Sequence, residues 1–178
     1  LRLWVNATQY LFLSITEPEA QTVLTQLLYV SASDIRPDAP DLEDVISSIL
    51  STSYVNNQRD GVTGLLLYSG GYFCQLIEGE EEAVDTLYAK ITQDTRHRDL
   101  NLLFKRPTDW AYIPGFPMGC AGIEREPDEL IVDAVNLRGW TTVSEAAPVV
   151  LYALLNRVPQ TDLVMQDPNQ LLSESLKI

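Results

Sequence analysis

Tyr29, Asn56, Asn57 and Gln75 are the side chains whose types and placement could do chemistry together. Asn56-Asn57 stands where a helical pattern ends, and Gln75 sits inside an apolar run, Phe73-Cys74-Gln75-Leu76-Ile77. A buried carboxamide costs free energy unless its donors and its acceptor are all paired. Three of them in neighbouring segments suggest the edge of a planar polar ligand. A phenol can give up an electron and then a proton. An amide can relay that proton and afterwards present a different donor. Each neutral hydrogen bond is worth only about 1 kcal/mol net, so a network rearranged in this way is metastable and can revert. Taken singly, Tyr29 also reads as a core tyrosine and the Asn pair as helix-end and turn chemistry.

These residues need elements to bring them together. The first strand reads from Leu24 to Ser31, and Ala32 to Pro40 is a loop with Pro37 and Pro40. Asp41 to Val55 is a helix, because Leu42, Val45, Ile46, Ile49 and Leu50 recur at i, i+3, i+4, i+7 and i+8. Asp41 is its expected N-cap, with Glu43 and Asp44 facing the helix dipole. Asp60-Gly61 supplies a positive-φ exit. Val62–Tyr68, Ser69-Gly70-Gly71 and Tyr72–Ile77 make a hairpin. Glu80 to Asp94 is a second amphipathic helix, Thr95 to Asp99 a polar link, and Leu100–Phe104 a fourth strand. A loop from Pro107 to Pro117 leads into a fifth strand over Phe116–Ala121.

Two βα units around a hairpin predict an α+β, ferredoxin-like βαββαββ sheet, antiparallel or mixed, with both helices on one face. Alternation puts Phe73, Gln75 and Ile77 on one face and Leu27, Tyr29 and Ser31 together on the neighbouring strand. If both sets face the helices, Tyr29 and Gln75 meet beneath the end of the first helix, and the two asparagines join them in one buried polar patch. Beyond this unit, Pro127–Val135 and Ser144–Asn156 look helical. Leu1, Leu3 and Val5 hint at a strand, Thr16-Glu17-Pro18-Glu19 is a helix-start signal, and Leu163, Val164, Leu171 and Leu172 could dock the polar tail. The expected division is an extension over 1–22, a ligand-binding domain over 23–122 and a helical extension over 123–178.

Composition narrows the function. Twelve basic against 25 acidic residues give a charge of −13. That argues against a nucleic-acid surface, although Lys90, Arg96 and Arg98 could still form a local basic pocket. The apolar stretch Tyr10–Ile15 is far short of the roughly 20 residues of a membrane span. No metal-ligand spacing exists around the single histidine, His97. Cys74 and Cys120 lie in apolar segments and read as buried free thiols of a reducing, cytoplasmic compartment.

The motifs Tyr29-Val30-Ser31, Asn56 through Leu66, Phe73-Cys74-Gln75-Leu76-Ile77-Glu78-Gly79 and Asp94 through Asp99 resemble, in order and spacing over about residues 24–122, those of BLUF domains, blue-light sensors that use FAD. The resemblance implies an isoalloxazine held between the two helices. In it Tyr29 matches the photoactive tyrosine, Gln75 the glutamine bridging tyrosine and flavin, Asn57 the residue bonding the pyrimidine edge, and Asn56 its helper. Lys90 stands where the family usually has arginine and lacks the planar fork. Asp94, Arg96 and His97 match positions near the cofactor, although His97 reads equally as a structural linker residue. The family's Trp-Ser-Met of the last strand is here Phe116-Pro117-Met118, which keeps Met118 as a signal relay and removes a competing electron donor. Trp110 lies upstream and is not assumed to substitute.

The expected output is protein–protein association rather than an enzyme activity, since only residues 123–178 follow the domain. Short family members imply a homo-oligomer and a response-regulator-like partner. The rival readings are a ferredoxin-like interaction module that has lost light sensing, and a small hydrolase of the acylphosphatase type. The latter needs an arginine cradle that no loop after the first strand provides.

Overall fold

The computed structural model describes residues 23–158. The expected strand at Leu1–Val5, the helix start near Thr16 and the docking of Leu163 to Leu172 lie outside these residues. The elements are β1 (Leu24–Ser33), α1 (Leu42–Asp60), β2 (Thr63–Ser69), β3 (Tyr72–Gly79), α2 (Glu81–Ile91), β4 (His97–Thr108), β5 (Gly119–Glu124), α3 (Glu129–Asn136) and α4 (Val143–Leu155). The sheet order is β4-β1-β3-β2-β5. β1 pairs antiparallel with β3 and β4, and β3 with β2, while β5 joins β2 in parallel. This is the ferredoxin-like plan with a fifth strand at the β2 edge.

Alternation sorts the strands onto two apolar faces. Leu27, Tyr29 and Ile77 pack with Val84 of α2, and Leu66, Tyr68 and Phe73 pack with Leu42 and Ile46 of α1. On the other face Leu28, Val30, Leu67, Cys74 and Leu76 pack with Ile131 and Ala134 of α3 and Val150 and Leu154 of α4. Burial on both faces is why the three inner strands read as nearly continuous apolar runs.

Five expectations need correction. α1 runs on to Asp60, so Asn56 and Asn57 lie in its last turns rather than beyond them. Gly61, at φ 67, ends it by donating to Asn57 O. The weak helix preference of asparagine is outweighed by burial of the Asn57 side chain. Asp41 occupies the N-cap position without a side-chain cap bond. β4 starts at His97, so part of the polar link is strand; as an edge strand it tolerates charged residues and register shifts. β5 begins at Gly119, leaving Phe116, Pro117 and Met118 outside it. Pro117 has no N–H to donate, and one bond, Gly64 N to Phe116 O at 3.3 Å, ties this approach to β2. The same edge position exposes Cys120, contrary to the expected burial, while Cys74 is buried.

Candidate functional site

α1 and α2 stand side by side on one sheet face and leave a cleft between them. It encloses about 840 Å³ of space not filled by atoms, its open mouth included. Ile49, Thr52, Ser53, Asn56 and Asn57 of α1 line it, with Leu87, Lys90 and Ile91 of α2 opposite. Tyr29, Leu66, Phe73 and Gln75 form the sheet floor, and Asp94, Arg96, His97 and Met118 complete the rim. Tyr29, Asn56, Asn57, Gln75, Lys90, Asp94, Arg96, His97 and Met118, matched from the sequence to the switch and the cofactor, are therefore in one cleft.

The floor is set by register. Tyr29 and Gln75 are direct partners across β1 and β3, so their side chains share a face. Tyr29 Oη donates to Gln75 Oε1 at 2.6 Å, and Gln75 Nε2 points to Met118 Sδ at 3.8 Å. Burial is the main cause that raises the Tyr29 phenol above its ordinary value, with Cys74 and Tyr88 adding to it. The phenol therefore stays protonated and acts as a donor. Tyr88 stacks at 5.7 Å from it, tilted.

Asn57 closes the far end. Its Nδ2 donates to Pro117 O at 2.7 Å and lies 3.8 Å from Met118 Sδ. The expected patch of tyrosine, glutamine and asparagines is thus bridged by Met118 rather than by direct amide contacts. Gly64 makes room for this: a Cβ there would sit 3.0 Å from Met118 Sδ and 3.2 Å from Asn57 Nδ2.

The rim is less cationic than expected. Arg96 is paired with Asp94, and that hydrogen bond is the leading cause holding the Asp94 carboxyl down at about 2. Arg98 pairs with Asp34 and Asp99 and does not line the cleft. Lys90 remains, with no ion pair within 4 Å among the described residues. His97 is held at both ring nitrogens. Nε2 donates to Ile91 O at 2.8 Å, and Nδ1 faces Ser31 Oγ at 2.9 Å. It braces the end of α2 against β1, a link between Ser31 and His97 that no sequence spacing announced.

Other residues fall elsewhere. Trp110 meets Tyr112 edge to face, ring centroids 4.2 Å apart, and packs against the core of the opposite sheet face. Phe116 is 43% exposed and lines a small apolar pocket with Gly64, Leu65 and Ile113 instead of the cleft. Sequence reasoning missed the apolar walls Ile49 and Leu87; both stood on the buried stripes of their helices, where a wall and a core position look alike.

The cleft has the chemistry of a site for a flat heterocycle with a polar edge. Its walls set the apolar Ile49, Leu87 and Ile91 beside the polar Thr52, Ser53, Asn56, Asn57 and Lys90. The Asn56 carboxamide, Asn57 Oδ1 and the Lys90 ammonium carry no hydrogen bond from other described residues, and all three residues line the cleft. Among the described residues no cluster could hold a metal ion, and no helix is long and apolar enough to cross a membrane.

Residues 24–119 match a family described as "BLUF: Sensors of blue-light using FAD". The chain is 38% identical over 102 residues to the blue light- and temperature-regulated antirepressor BluF of Escherichia coli (strain K12), covering 57% of this chain and 23% of that one. It is 42% identical over 64 residues to the photoactivated adenylate cyclase subunit alpha of Euglena gracilis, covering 36% of this chain and 6% of that one. It therefore spans a quarter or less of these two relatives. Among solved structures it is similar to the dark state of BlrB, a BLUF protein, at TM-score 0.56 and 30% identity, covering 77% of this chain and 96% of that one.

Proposed function

The chain belongs to the BLUF family of blue-light sensors that use FAD, and from that premise we propose that Tyr29 and Gln75 are its photoactive switch and Met118 its signal relay. The observation that carries this is the Tyr29 Oη to Gln75 Oε1 bond of 2.6 Å on the cleft floor, with Met118 Sδ on the other end of the same amide. The flavin, when bound, supplies blue-light absorption and a transient demand for an electron and a proton. Asn57 and Asn56 hold its polar edge, Lys90 offers a further donor, and Ile49 and Leu87 exclude water from its faces.

Tyr29 holds the mobile proton at Oη. A half-turn of the Gln75 carboxamide would exchange its Oε1 and Nε2 ends, so that Tyr29 Oη faces an N–H donor while no bond forms or breaks. Met118 Sδ then loses the N–H it faced. No covalent bond changes heavy-atom partners, and differences of about 1 kcal/mol per hydrogen bond let the network return in the dark. Asp94 and Arg96 fix the rim by pairing with each other, and His97 braces it.

The binding domain is taken as residues 23–122 and the remainder to 178 as a helical extension. Output runs through association: a homo-oligomer in the cytoplasm that engages a downstream signalling protein of response-regulator type, with no enzyme activity of its own. The named relatives, an antirepressor and a cyclase subunit, support a role in signalling.

The test is an absorption spectrum of the purified protein before and after blue light, for wild type and Tyr29→Phe. Wild type should be yellow, release FAD on denaturation and show a reversible spectral change that Tyr29→Phe abolishes while keeping the cofactor. A colourless protein that refuses added flavin would favour an interaction module instead. An intact photocycle in Tyr29→Phe would move the donor to Tyr88, whose ring is nearest.

A further inference from the structure

Glu78 is a buried carboxylate, 1% exposed, that the switch does not use. It lies on β3 three residues beyond Gln75 and so points to the opposite sheet face. Its Oε1 accepts from Gln26 Nε2 at 2.8 Å and from Tyr112 N at 2.9 Å, and its Oε2 accepts from Ile113 N at 3.1 Å. Arg106 reaches the same cluster through Gln26 Oε1 at 3.1 Å and Tyr112 Oη at 3.3 Å, without touching the carboxylate. Burial is the leading cause raising the Glu78 carboxyl, and the three donors oppose it. Placing an acid here is therefore costly, and what it gains is a grip on two consecutive main-chain N–H groups.

Those two residues begin the approach to the site. From Ile113 the chain has no regular ladder until Gly119. It is held at points: Phe116 N to Ile113 O, Gly64 N to Phe116 O, and Asn57 Nδ2 to Pro117 O. Then Met118 meets Gln75. The segment is thus tied to β3 twice, upstream at Glu78 on one face and downstream at Gln75 on the other.

We propose that Glu78 is a positioning residue for the light response: its carboxylate anchors Tyr112 and Ile113 so that a change at the Gln75 amide is expressed at Pro117 and Met118 and is not dissipated by the whole loop shifting. This rests on the photosensor reading above.

The test is Glu78→Gln in the full chain with bound flavin. The substituted side chain keeps the shape but offers one acceptor oxygen in place of two. In the dark, amide hydrogen exchange at residues 112 and 113 should rise by about fivefold, the size of one net hydrogen bond. Dark recovery of the flavin absorption should change by a similar factor, with flavin content retained. Unmoved exchange, or faster exchange with wild-type recovery, overturns the proposal; the latter leaves Glu78 a structural brace only. Faster exchange in a protein whose wild type gives no light-induced spectral change instead places the failure in the photosensor reading. If Glu78→Gln does not fold, Gln26→Met removes one donor to the carboxylate, and both readouts should move in the same direction by about twofold; unmoved readouts overturn the proposal.

Discussion

At Asn57 one side chain serves two neighbours. Its Nδ2 donates to Pro117 O, and the residue also lines the cleft. Asn56, one residue earlier on the same helix, lines the cleft without a hydrogen-bond partner among the described residues. Asn57→Ala should therefore weaken flavin retention more than Asn56→Ala, by about 1–3 kcal/mol for a buried polar edge left unpaired, or roughly one to two decades of affinity. Equal flavin affinity in wild type and both variants, measured by fluorescence titration, would reject the assignment. The second residue-scale expectation concerns pH. Burial raises the Tyr29 phenol above the ordinary 10.0. Its neutral form is favoured by the fold, so folding stability is lost only as pH rises above 10.0, where the unfolded chain ionises first. The light-minus-dark amplitude should stay level from neutral pH up to 10.0; a titration below that value would show that the phenol is not shielded.

The element proposed to carry the signal is an approach segment, not a strand. β5 starts too late to include Met118, and Pro117 cannot join a ladder. The route from Gln75 thus runs through point contacts, which open more easily than a paired strand. Light should raise hydrogen exchange over residues 114–118 while Leu42 and Ile46, fully buried on α1, stay in a protected helix. Gly64→Ala probes the same contact from below. Its methyl meets Met118 Sδ at 3.0 Å and Asn57 Nδ2 at 3.2 Å, so Met118 must yield. A stability loss of about 1–3 kcal/mol, typical of overpacking, should accompany an altered dark recovery rate. Wild-type recovery in that variant would show that Met118 position does not matter to the cycle.

For the molecule as a whole, the two sheet faces have different partners. The cleft lies on the α1 and α2 face, and α3 and α4 cover the other. The two faces are linked at the edge. Arg157, after α4, pairs with Glu124 of β5 and with Asp128, and Ser69 of β2 donates to Glu124. A shift at Met118 can thus reach α4 through β5. Light-dependent change of assembly, read by size exclusion or light scattering in dark and light, should be lost in Met118→Ala while its spectral change persists. If Met118→Ala switches assembly like wild type, the approach segment is not the route and the loop from Ala32 to Pro40 takes its place.

Local chemistry was enough for the elements and for half of the site. Periodicity marked α1 and α2, Gly61 marked the helix exit, and period-two alternation placed Tyr29 and Gln75 on one face, because each depends on neighbours in sequence. Other features needed the tertiary structure. Asn56 and Asn57 are helical because burial of a side chain overrides weak propensity. Cys120 is exposed because its strand is an edge, and the expected basic pocket shrinks to Lys90 because Arg96 finds Asp94 and Arg98 finds Asp34. Met118 joins the site by irregular backbone, and Glu78 grips residues more than thirty positions away. Contacts of that kind are set by where the folded chain returns to itself, and the linear order of residues carries no record of the distance.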